Sequence, residues 1–124
     1  MNETKLLRIN QDPTGCVVKA MALPWATEGL PPGWSMQVFS AHDMEMNVFR
    51  AEPGAQWPAH SSPESWVGMV IAGRMALELS EADATPVETL TCQAGDGFSF
   101  GPGVKHAWRN DGTVPVVTVF VRTI

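Results

Sequence analysis

Apolar and polar residues alternate along this chain in short runs separated by turn residues. Met44, Met46 and Val48 interleave with Glu45 and Asn47, the period of two of a half-buried strand. They fall within residues 34–52, the longest stretch without Gly or Pro, which reads as strands rather than as a 3.6-residue helical pattern. Similar runs predict strands over residues 15–22, 66–72, 75–79, 87–91, 97–100, 106–109 and 116–122, each short and rich in Val, Met, Phe or Trp. Between them stand Pro31-Pro32-Gly33, Pro53-Gly54, Ala72-Gly73, Ala94-Gly95-Asp96-Gly97, Gly101-Pro102-Gly103 and Asn110-Asp111-Gly112, all turn signals. Evenly spaced short strands joined by such turns predict an all-β sandwich or barrel. No repeat or linker divides the chain, so a single domain over residues 1–124 is expected. The first ten residues read as a loose arm or an edge strand, and residues 26–33 as a loop.

Two of the strands are apolar on both parities: Val67, Met69 and Ile71 together with Val70, and Val117, Val119 and Val121 together with Val116 and Phe120. Such strands need cover on both faces, from a second sheet plus an N-terminal strand or from a partner subunit, and a homodimer is the expectation. Gly and Pro supply 11 and 10 residues, spread out as punctuation, while 44% of the chain is hydrophobic, enough to bury a core. The net charge of −5 comes without a run of Lys or Arg, which argues against nucleic acid and against an anionic membrane surface as partners. No stretch approaches the ~20 apolar residues of a membrane span, and the first ten residues carry charges where a signal peptide needs an apolar centre; a cytoplasmic location is expected. Cys16 and Cys92 lie far apart and form no CxxC pair, so both read as reduced packing residues.

The informative spacings start at two glycines. From Gly54 the chain runs five residues to His60, one to Ser62, three to Trp66 and six to Gly73; from Gly95 it runs five to Gly101, one to Gly103, two to His106 and three to Asn110. This pair resembles the two motifs of the cupin superfamily. Gly54, His60, Gly73, Gly95, Gly103, His106 and Asn110 match. The resemblance implies a small jelly-roll barrel, the double-stranded β-helix. It also implies a divalent metal, Zn, Fe, Ni or Mn, held inside by two His and a Glu of the first motif and the His of the second. Carried onto this chain, only His60 and His106 remain as ligands: Ser62 replaces the second His, Trp66 replaces the Glu, and Gly101 replaces a turn proline. Two imidazoles fall short of the three protein ligands of a catalytic zinc or the two His and one carboxylate of non-haem iron. Glu64 and His42 are the candidates for a third ligand. Pro63 places Glu64 on a loop, and Ser40-Ala41-His42-Asp43 reads as a connection between strands.

Strand parity places Trp66 with Gly68 and Val70, and Trp108 with His106. The expected cavity is lined by Met44, Met46, Trp66, Phe98, Phe100 and Trp108, with His60, Ser62 and His106 as polar anchors and with space left in front of Trp66 by Gly68. Trp57, of opposite parity to His60, is expected outside, and Trp25 and Trp34 flank a Pro-rich loop that they close or pack down. Two functions follow. One is binding of a small organic molecule in an aromatic cavity beside an incomplete two-His metal site. The other is an enzyme, either a metal-dependent lyase, isomerase or oxygenase with His60 and His106 as ligands or a metal-free variant with one imidazole as general base.

Overall fold

The computed structural model describes residues 6–8, 23–80 and 88–123. They form β1 (Leu6–Arg8), β2 (Trp34–Ala41), β3 (Met44–Ala51), β4 (Gln56–His60), β5 (Trp66–Ala72), β6 (Arg74–Ser80), β7 (Glu88–Gln93), β8 (Gly97–Phe100), β9 (Lys105–Arg109) and β10 (Val116–Thr123). A six-stranded sheet has the order β1-β2-β3-β10-β5-β8, and a four-stranded sheet the order β4-β9-β6-β7. The predicted strand over residues 15–22 and Cys16 lie outside the described residues. Leu6–Arg8 pairs in parallel with β2, in keeping with an edge strand.

The residues turned inward set the packing of the two sheets. From the large sheet come Trp34, Ala51, Val70, Phe100, Val116 and Phe120; from the small one come Met75, Leu77, Cys92 and Trp108, all buried. Burying a large apolar side chain stabilises by about 1.5–3 kcal/mol, so this shared layer dominates the fold. The Cys92 thiol is free and buried, and burial, then the nearby Asp96 carboxylate, pushes its pKa up.

Two motif residues explain themselves structurally. Gly73 has φ +81, and a Cβ there would stand 2.6 Å from the Pro115 carbonyl, so only glycine fits the β5–β6 turn. Asn110 is buried, its Nδ2 donates to the carbonyls of Ala51 and Val114, and its Oδ1 accepts from the Gly112 N–H. Its backbone also pairs with Gly54 and Ala55, which locks the start of the first motif to the end of the second.

Three sequence expectations need correction. First, the strand β4 was not expected, because Pro58 lies in its middle; it is tolerated since β4 is the edge of its sheet, at an irregular step in register. Second, in β3 the inward face carries Asn47 and Ala51, whereas Met44 and Met46 line a shallow concavity with Phe39, His42 and Val121. The alternation was read correctly but its direction was inverted, because the outer face of this sheet is itself apolar. Third, Gly68 leaves no space: it is the cross-strand partner of Phe98, whose ring lies 2.4 Å from where a Cβ would be. Phe98 packs on Phe100, Trp108 and Phe120 as part of the core.

Candidate functional site

His60 on β4 and His106 on β9 are directly opposed cross-strand partners, so both side chains leave the sheet on one face. Their ring centroids are 4.2 Å apart. Each Nδ1 lies 3.0 Å from a backbone carbonyl two residues earlier, Pro58 for His60 and Val104 for His106. A carbonyl only accepts, so each Nδ1 carries the proton and each Nε2 keeps its lone pair when the ring is neutral. The two rings differ in setting: His60 is exposed, while His106 is 4% exposed and stacks on Phe100 at 3.9 Å. Burial lowers the His106 pKa below the ordinary imidazole value, His60 adds to the lowering, and the Val104 hydrogen bond opposes it.

The imidazoles border a cavity of about 140 Å³. Ser62, Trp66, Phe100 and Trp108 line it as expected from the sequence; Trp34, Asn47, Phe49, Trp57, Met75, Thr118 and Phe120 complete it. Trp57 is a correction. The register shift between Trp57 and His60 cancels their opposite parity, and the Trp57 ring stands 5.8 Å from that of His60. Trp34 is a buried wall of the cavity, edge-on to Phe49 and Trp57, and Trp25 is 46% exposed. Among the described residues no Lys, Arg, Asp or Glu lines the cavity. In an adjoining concavity that shares Asn47 and Trp66 with this one, Arg122 meets both carboxylate oxygens of Glu45 at 3.2 and 3.3 Å.

Ser62 and Trp66, the residues in the two altered motif positions, are bonded to each other: the indole N–H donates to Ser62 Oγ at 3.2 Å. The hydroxyl thereby spends an acceptor site on the indole, and the indole has no lone pair to offer a metal. Glu64 lies in the concavity with Arg122 and Glu45, and His42 lies in the β2–β3 turn, exposed with φ 54. Neither joins the imidazole pair. Among the described residues no three His, Cys, Asp or Glu side chains gather as a metal site would require, so the donor set does not fit a tightly held catalytic metal.

Among the described residues, three side-chain polar atoms of residues that border the cavity are buried without a hydrogen-bond partner: Trp34 Nε1, Asn47 Oδ1 and Thr118 Oγ1. Sequence reading placed Trp34 beside the Pro-rich loop and did not name Asn47 or Thr118 as site residues. Thr118 gave one signal, a polar residue on the inward parity between Val116 and Phe120. Asn47 gave none, since its alternation with methionines pointed it to solvent.

Residues 47–122 match the family model described as Cupin domain. No curated protein matches the chain in sequence. Among solved structures, KdgF from Halomonas sp. superimposes with a TM-score of 0.72 at 17% identity, covering 89% of this chain and 94% of that one. The CENP-C cupin domain of Drosophila melanogaster gives 0.71 at 13%, covering 84% and 77%. An oxalate oxidase gives 0.65 at 20% and covers 75% of this chain; the match spans only 52% of the oxidase. At these identities the likenesses concern the fold.

Proposed function

The chain belongs to the cupin family, and on that premise we propose that it is a small-molecule-binding cupin whose aromatic cavity has taken over the place of the family's metal centre. The observation that carries this reading is the Ser62–Trp66 hydrogen bond. It ties together the two positions at which metal donors are missing and turns them into finished cavity wall. The rest of the wall is apolar and aromatic with few polar groups, the usual make-up of a ligand site. A cavity of about 140 Å³ is close to the ~150 Å³ engineered cavity that accepts benzene, so the ligand is of single-ring size.

The second reading, a metal-dependent enzyme, has one observation in its favour: both Nδ1 atoms are tied back to carbonyls, the arrangement that orients imidazoles toward a metal. One experiment separates the two. Protein purified without added metal is analysed for bound metal and then titrated with small ring compounds while tryptophan fluorescence is followed, since Trp34, Trp57, Trp66 and Trp108 all line the cavity. Binding without metal supports the first reading. A stoichiometric metal that disappears in His60→Ala or His106→Ala supports the second and overturns the first.

The proposal extends to assembly. The outward side of the large sheet exposes Val67, Met69 and Ile71, and a second copy of the chain is taken as its cover.

A further inference from the structure

We infer that Arg122 and Glu45 set the upper size of the ligand: the pair fixes Trp66 and Asn47 as a partition between the ring-sized cavity and the concavity next to it. The inference rests on the small-molecule reading above and deepens it by naming positioning residues that hold the ligand to one ring.

Strand alternation puts this ion pair on the inner face of the large sheet. In β3 Glu45 shares its parity with Asn47, Phe49 and Ala51, and in β10 Arg122 shares its parity with Thr118 and Phe120. Glu45 and Arg122 are direct cross-strand partners, and the guanidinium meets both carboxylate oxygens through Nε and Nη2. The Arg122 and Glu45 side chains are 25% and 15% exposed, so water and salt screen this pair less than the more open pairs Arg50–Glu52 and Arg74–Asp111.

The pair acts on the wall that the two spaces have in common. Among the described residues, Trp66 and Asn47 border both the cavity of about 140 Å³ and the adjoining concavity of about 320 Å³. The pair touches both of them. Arg122 Cζ lies over the Trp66 ring, 5.4 Å from its centroid, within the range of cation–π attraction. Asn47 Nδ2 donates to Glu45 Oε2 at 3.3 Å. Phe120, which borders the cavity and not the concavity, meets the same indole edge-on with centroids 6.0 Å apart, and Ser62 accepts from its N–H. Held at its N–H and on its face, the half-buried indole keeps one orientation. Without the cation the face contact is lost, the ring can turn, and the cavity opens into the concavity.

Calorimetric titration of the full chain with phenol and 2-naphthol tests this, since the two compounds share a hydroxyl and differ by one ring. The wild type is expected to bind phenol about tenfold more tightly than 2-naphthol, the discrimination of a pocket that is too small. Arg122→Met is expected to raise 2-naphthol affinity about tenfold, the scale of a desolvated cation–π contact, with phenol kept within about threefold. Arg122→Lys, which keeps the cation and gives up the planar fork, is expected to return 2-naphthol to within about threefold of the wild type. General loosening of the fold would weaken phenol as well and would not be rescued by lysine. Glu45→Gln, which keeps the side-chain shape, is expected to raise 2-naphthol affinity about threefold and carries the test where Arg122→Met does not fold. A wild type that binds 2-naphthol as tightly as phenol overturns the inference with the cavity reading intact. So does a methionine variant that still excludes 2-naphthol, or a lysine variant as permissive as the methionine one. Failure of both compounds to bind any of these proteins overturns the small-molecule reading itself.

Discussion

At the scale of single residues, the imidazole pair is asymmetric by burial, and the asymmetry has a measurable consequence. His106 is held neutral by its surroundings, with a pKa below the ordinary value of about 6.5. Above that value neither the folded nor the unfolded chain protonates it. As the pH falls through that value the unfolded chain takes up a proton that the folded chain refuses, so stability is lost until the folded group itself titrates. Melting temperature measured from pH 7.5 to 5.5 should therefore fall in the wild type and fall less in His106→Gln. Identical slopes in the two proteins would contradict the assignment. Gly68 gives a second residue-scale outcome. Because a Cβ would overlap the Phe98 ring and the Val119 carbonyl, Gly68→Ala should destabilise by about 1–3 kcal/mol, read by denaturant unfolding. An unchanged midpoint would show that the ring moves aside freely.

At the scale of elements, Asn110 joins parts of the chain far apart in sequence, bonding to Ala51, Val114, Gly112, Gly54 and Ala55. Asn110→Ala leaves the buried Ala51 carbonyl and the partly buried Val114 carbonyl and Gly112 N–H without their partner, at a cost of about 1–3 kcal/mol for the buried group and less for the others. Urea unfolding should show a loss of several kcal/mol, and a loss below about 1 kcal/mol would argue that water replaces the side chain. How far such elements were legible depended on how local their causes are. β5 and β8 have the bounds that their Val, Met and Phe runs predict. β4 was hidden because proline normally excludes a strand, and only its place at the sheet edge, a property of the whole topology, permits it. The same step in register moved Trp57 from its expected outer position to the cavity. His60 and His106 were legible through motif spacing, and their meeting follows from the β4–β9 register. Asn47 was not, because strand parity says which residues share a face and cannot say which face is inside when both are apolar.

On the scale of the whole molecule, the same two-faced pattern bears on assembly. Val67, Met69 and Ile71 are 62%, 45% and 51% exposed, and contiguous apolar surface of this kind marks a contact site. The cover proposed above is a second copy of the chain, because an apolar patch is complementary to itself and suits a two-fold contact. Light scattering should give twice the 13.4 kDa chain mass. Met69→Glu, which the exposed position tolerates in the isolated chain, should return a single chain that still binds ring compounds. A wild type that runs as a monomer at all concentrations would assign the cover of this face to the chain's own residues, and a Met69→Glu protein that remains dimeric would place the contact elsewhere.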